Sequence, residues 1–184
     1  MRTIAFATAL LLAGVTTALA APALVVTSPD IKPGGKISDE QVANVFGCTQ
    51  KNISPAISWS GAPKGTKSFV LSVFDSDAPT RSGFSHWVVF DIPPDATSLP
   101  KNAGDPKANL LPAGAVQGRT DFGAPGYGGP CPPQGDKPHH YHFRVFATDL
   151  DKLDADQNTS AAVIGFNLHF HTLAEGELVG IYGR

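Results

Sequence analysis

The chain has 184 residues, with 14 basic and 16 acidic side chains, six histidines and a net charge of −2 at pH 7. With a mild acidic excess and no basic run to neutralise phosphates, it lacks the electrostatic footprint of a nucleic-acid-binding protein. Nineteen glycines and sixteen prolines favour turns and loops over long helices.

Residues 1–20, MRTIAFATALLLAGVTTALA, carry one charge (Arg2), an apolar run around Leu10 to Leu12, and small residues Ala18 and Ala20 flanking Leu19. This is the pattern of a secretory signal peptide cleaved after Ala20. The apolar run falls short of the roughly 20 residues of a comfortable membrane span, and no later segment resembles one. Residues 21–184 are expected to form one exported domain, periplasmic or secreted, of 164 residues with 13 basic and 16 acidic side chains, net −3.

After the cleavage point, ALVVTS (23–28) reads as a strand, followed by the turn-forming DIKPGGKIS. Residues 38–46 fit one or two helical turns with Ser38 or Asp39 as N-cap. NISPAISWS (52–60) alternates apolar and polar residues, with a proline suited to an edge or a strand start. The clearest strands are 68–74 and 86–92 in FVLSVFDSDAPTRSGFSHWVVFDIP. Residues 93–138 form a long irregular stretch rich in Pro, Gly, Asn and Asp. Stretches of that kind are either functional or disordered, and Phe122, Tyr127 and Cys131 argue that this one packs. HYHFRVFATDL (140–150) returns as a strand, 158–174 fits a helix with Asn158 as N-cap, and ELVGIYG ends the chain as a strand. Antiparallel-type strands without the intervening helices that a parallel sheet needs indicate a mainly β fold. The expected architecture is an antiparallel Greek-key β-sandwich with short helices and a C-terminal helix.

Cys48 and Cys131 lack metal-type spacing, and in an exported protein such an even pair reads as a disulfide, the alternative being two buried thiols. A bridge closing so long a loop would stabilise by roughly 4 kcal/mol in the chain-entropy picture and would pin the loop around residues 123–138.

If strands 68–74 and 86–92 run out and back, Asp75 and Asp77 meet His86 at one rim of the sheet. The strand after the Pro/Gly-rich loop brings His139 and Tyr141 on one face, with His140 and His142 on the other. One pocket would then collect Asp75, Asp77, His86, His139 and Tyr141. The plainer alternatives are turn chemistry for the aspartates and a satisfied core role for His86. His140, His142, His169 and His171 read as surface residues, not as a metal set. The D-x-D after an apolar strand resembles the start of a haloacid-dehalogenase-type phosphatase, but Pro79 and the absence of a parallel sheet argue against it. No G-x-S-x-G elbow, H-E-x-x-H helix, P-loop or cofactor motif is present.

DSDAPTRSGFSHWVVFDIP together with GYGGPCPPQGDKPHHYHFRVFATD resembles the two signature regions of the phosphatidylethanolamine-binding protein family. More narrowly the chain resembles its bacterial Raf-kinase-inhibitor-like branch, including an exported subgroup with the same cysteine pair. NISPAISWSGAP, AVQGRTDFG and LVGIYGR extend the likeness over nearly all of the mature chain. The resemblance implies a β-sandwich with a small anion pocket at Asp75, Asp77, Pro79, His86, Gly129, Pro130, His139 and Tyr141, taking phosphate-bearing ligands such as phospholipid head groups without catalysis. It implies as an alternative an inhibitor or modulator of a protein partner outside the cytoplasm. Two departures stand out: Ser76 replaces the family's usual proline in D-P-D-A-P, and His140 stands where arginine is common. Since the alternation points His140 away from the pocket, that change is expected to matter little to ligand binding.

Overall fold

The computed structural model describes residues 23–184; the expected signal peptide lies outside the described residues. The chain forms β1 (Val25–Thr27), β2 (Gly35–Lys36), β3 (Ile57–Ser60), β4 (Ser68–Asp75), β5 (Phe84–Ile92), β6 (Ser98–Leu99), β7 (Val116–Gln117), β8 (His139–Thr148), α1 (Ala161–His171) and β9 (Thr172–Tyr182). Six strands make one sheet in the order β2-β9-β8-β4-β5-β7, and three make a second in the order β1-β3-β6. All pairings are antiparallel except β2 with β9 at one edge. The fold is mainly β, as expected, with one C-terminal helix. No helix among the described residues is long and apolar enough to cross a membrane.

The sequence of β4 explains its central position. FVLSVFD is apolar on both faces, so it needs cover on both. Phe69, Leu71 and Val73 point into the main core with Trp87, Val89, Phe143 and Val145, against Val26, Ile57, Trp59 and Leu99 of the small sheet. Val70 points the other way, into a second core with Val88, Phe90, Leu153, Ile164 and Leu168 under α1. The strict alternation of β8 gives Phe143 and Val145 to the main core and leaves His140 and Arg144 exposed.

Element boundaries differ from the sequence reading: β5 begins at Phe84 and β8 at His139, and the stretch read as irregular over 93–138 carries the two-residue strands β6 and β7. Residues 38–46 form isolated turns, with Gln41 N bonded to Ser38 O and Val42 N to Asp39 O, and no helix. The strand expected over 52–60 is confined to Ile57–Ser60. Ser160, not Asn158, caps α1, its side chain accepting from Val163 N, and the helix stops at His171. The reason for the early stop is tertiary: β9 starts at Thr172 because it pairs with β8 from Thr148 to His139, and that ladder overrides the helical pattern of 172–174.

Adjacent residues of β8 should therefore differ sharply in stability effect. Phe143→Ala should cost about 3–5 kcal/mol and Arg144→Ala, which loses only an exposed pair with Glu177, less than about 1 kcal/mol, as read by urea unfolding.

Candidate functional site

The site lies where β4 ends, β5 begins and β8 begins, so that one end of the large sheet presents three strands together. β8 pairs Tyr141 with Asp75, and its alternation points His139 and Tyr141 inward. The β5 side depends on an irregularity. Val73 pairs with Trp87 but Phe74 pairs with Ser85, so His86 is an extra residue in the ladder, a β-bulge. Trp87 and Val89 face the main core; without the bulge, His86 would face the opposite side of the sheet. With it, Phe84 and His86 both turn into a cavity of about 110 Å³.

At its floor, Asp75 is 3% exposed and His139 is equally buried. Asp75 Oδ1 accepts from Asp77 N at 2.9 Å, and Oδ2 accepts from His139 Nδ1 at 2.7 Å. Since a carboxylate oxygen accepts, Nδ1 of His139 carries the hydrogen, and its Nε2 lies 3.7 Å from Asp136 Oδ2. His86 donates from Nδ1 to the Gly128 carbonyl at 2.7 Å, which turns Nε2 towards Asp75 Oδ2 at 4.0 Å. Its ring is packed edge-on by Phe84, Phe122 and Tyr141, with centroids 5.1–5.4 Å away. Burial outweighs the Gly128 carbonyl and the Asp75 charge and holds the His86 imidazole below its ordinary pKa. Burial and the Asp75 charge push the Tyr141 hydroxyl far up, so that it stays protonated. That hydroxyl is buried close to Asp75 and makes no hydrogen bond of ordinary geometry among the described residues.

Of the residues singled out in the sequence, Asp75, Pro79, His86, His139 and Tyr141 line the cavity. Asp77 does not. Its Oδ2 accepts from both the backbone N and Nδ1 of His140 at 2.7 Å, and the His140 ring and amide hold its carboxyl below the usual range. His140 is turned away from the cavity, as the alternation predicts, but it anchors the loop that orients Asp75. Gly129 and Pro130 also stand behind the lining. Gly129 N donates to Asn52 Oδ1, and a Cβ there would meet Gln41 O at 2.0 Å, while Pro130 O accepts from Ala43 N. Their task is to dock the 129–133 segment on the 41–52 loop. Cys48 and Cys131 are joined in a disulfide, and Cys131 itself faces the cavity.

The sequence reading missed the collar. Phe46, Phe84 and Phe122 line the walls with Thr80, Pro132 and Pro133. Phe84 stands two residues before the bulged His86, and Phe122 signals only packing in the sequence; Phe46 gives no signal because only the disulfide and the loop fold bring it to the site. Phe122 lies flat on Gly128, where a Cβ would meet its ring at 2.2 Å.

Residues 27–183 match the phosphatidylethanolamine-binding protein family. The chain belongs to that family. It is 48% identical to YbcL of Escherichia coli K12 over 93% of both chains, and 43% identical to YbhB of the same organism over 84% of this chain and 97% of that one. The crystal structure of Escherichia coli YbcL, described as a new member of the mammalian family, superposes with a TM-score of 0.86, covering 88% of this chain and 98% of that one at 48% identity. A homologue from Chlamydia trachomatis, described as a putative member, is similar with a TM-score of 0.72 at 30% identity, over 89% and 99% of the two chains.

The buried, neutral His86 sets a pH dependence. The unfolded chain takes up a proton near pH 6.5 that the folded state resists, so stability is full above about pH 6.5 and falls as the pH drops below it. His86→Asn, which places a donor near the Gly128 carbonyl without a titratable ring, should give a shallower acid-side slope in unfolding experiments between pH 7 and pH 4.5.

Proposed function

We propose that this protein is a non-catalytic, exported binding protein whose pocket takes the phosphate group of a small ligand such as phosphoethanolamine or a phospholipid head group. The observation that carries the reading is the Tyr141 hydroxyl, a buried donor beside Asp75 at the cavity floor that makes no hydrogen bond of ordinary geometry within the protein. An unsatisfied buried group of this kind costs about 1–3 kcal/mol, a cost that an arriving acceptor would remove. His86 Nε2 lies on the same floor and becomes a second donor on protonation. Asp75 would repel a dianion, but a monoprotonated phosphate can donate its own hydroxyl to the carboxylate while accepting from Tyr141 and His86. The aromatic collar suits the esterified part of the ligand, and a cationic amine there gains from the ring faces.

The non-catalytic part rests on the chemistry of the lining. Tyr141 is held protonated, and the Thr80 hydroxyl donates to the Gly83 carbonyl, so neither is poised as a nucleophile. Export is supported by the pattern of residues 1–20 and the paired cysteines. A second reading, a modulator of a protein partner, is favoured by Phe46, which is 67% exposed at the pocket mouth beside the partly exposed Val45.

The two donors differ in their demand on pH: the Tyr141 hydroxyl stays protonated throughout, and His86 changes charge. Because His86 is neutral in the empty pocket and charged against an anion, and a phosphate monoester with a second pKa of about 6 must also be monoprotonated to donate to Asp75, binding takes up as many as two protons and should tighten as the pH falls from 8 to 6. Calorimetric titration with phosphoethanolamine should show this, and His86→Asn should flatten it to the dependence set by the phosphate alone; an affinity independent of both pH and His86 would sink the reading. Tyr141→Phe should bind more weakly while stabilising the empty protein by about 1 kcal/mol, a split that a purely structural tyrosine would not give.

A further inference from the structure

The two walls of the pocket mouth come from segments far apart in the chain and are joined by few bonds. One wall is Phe46, in the left-handed region at φ 54°, a conformation that a bulky residue holds only when its surroundings impose it. Its ring is mostly exposed and stacks on Phe122 at 5.7 Å between centroids. The other wall is Pro132 and Pro133. Between them run the Cys48–Cys131 disulfide, two residues from Phe46 and one from Pro132, and the Ala43 N to Pro130 O bond at 3.1 Å. Arg184 completes the join, donating from Nε to Pro132 O at 2.7 Å, from Nη2 to Phe46 O at 3.3 Å and from Nη1 to Gly47 O at 3.4 Å. The only covalent link is the disulfide. One of its sulfurs belongs to a residue lining the pocket, whereas Cys48 is 8% exposed.

We propose that the Cys48–Cys131 disulfide is a redox clamp on the pocket, holding Phe46 and Pro132 at ligand-binding spacing when oxidised and letting them part when a dithiol reduces it. The inference rests on the reading of this cavity as the ligand site. A thiolate of the dithiol attacks Cys131 from the pocket side; the sulfur–sulfur bond breaks, Cys48 leaves as a thiolate and takes a proton, and a mixed disulfide remains on Cys131. The second thiol of the reductant then displaces Cys131, which is protonated in turn, and the reductant departs as its own disulfide: two electrons and two protons enter the protein. A ligand in the pocket covers the sulfur that is attacked. By linkage, the factor by which reduction weakens ligand binding equals the factor by which bound ligand disfavours reduction.

Three measurements on the whole exported chain test the clamp, with phosphoethanolamine and inorganic phosphate as probes. Saturating probe should slow reduction by dithiothreitol, followed by mass after alkylation, by about tenfold. Reduced protein should bind the probe about tenfold more weakly, the effect of a mouth in its binding geometry only a tenth of the time. Hydrogen exchange should rise on reduction in residues 43–48 and 130–135 and hardly elsewhere. Arg184→Gln, which keeps the disulfide, should weaken binding in the same direction and speed reduction. Equal reduction rates with and without saturating probe overturn the clamp, and that comparison is made on the oxidised protein, so it stands even if the reduced form unfolds. If the oxidised protein binds neither probe, the reading of the pocket fails. The clamp is then decided by exchange alone, and unchanged exchange in the two segments overturns it.

Discussion

The bond from His139 Nδ1 to Asp75 Oδ2 is the constraint on which the site depends. It places a carboxylate inside a protein interior, where an unpaired charge is not tolerated, and it does so at the end of the central strand. Removing one partner of such a pair typically costs about 3–5 kcal/mol, because the other is left buried and unmatched. The surrounding geometry satisfies the rest of Asp75's accepting capacity: the Asp77 amide takes Oδ1, and the pairing of Asp77 with His140 holds that amide in place. An exposed hydrogen bond worth little in itself thus orients a buried one.

The molecule divides its work between a stiff sheet and tied loops. β4 and β5 are packed on both faces and β8 on its inner one, so the floor of the pocket is carried by a well-packed part of the fold. Apart from Phe84 of β5, the walls come from segments without regular structure, held by side chain to backbone bonds: Asn52 accepts from Gly129 N and donates to the Tyr127 carbonyl, and the Tyr127 hydroxyl donates to the Gln41 carbonyl. Two glycines set how close these layers come, Gly128 under the Phe122 ring and Gly129 against the 41–43 backbone. The floor fixes which chemistry is offered. The walls fix its access.

The strands that carry the site were legible because their patterns are simple. HYHFRVF alternates without error, so the inward placement of His139 and Tyr141 follows from period two alone. The cysteine pairing was legible from the expected compartment. Asp77, Gly129 and Pro130, expected as ligand contacts, lie outside the cavity lining, since sequence spacing places a residue near a rim but does not say which neighbour engages it. Phe46 was illegible for a different reason: nothing local sends a left-handed phenylalanine to a pocket formed by residues from Asp75 to Tyr141. The end of α1 was misplaced because residues 172–174 fit a helix locally and are claimed by a ladder visible only in the fold.

The bulge at His86 means that the site is written partly in chain length. Trp87, Val89 and Ile92 pack in the main core whether or not an extra residue precedes them, whereas the face on which residue 86 appears is decided by that residue alone. Losing one position between Phe84 and Trp87 would leave a more regular ladder and an intact apolar core while turning the imidazole out of the cavity. For this fold, then, an indel at one strand start is a shorter route from binding protein to inert scaffold than any substitution in the core, and a relative that keeps every motif residue but not the spacing would keep the architecture without the pocket.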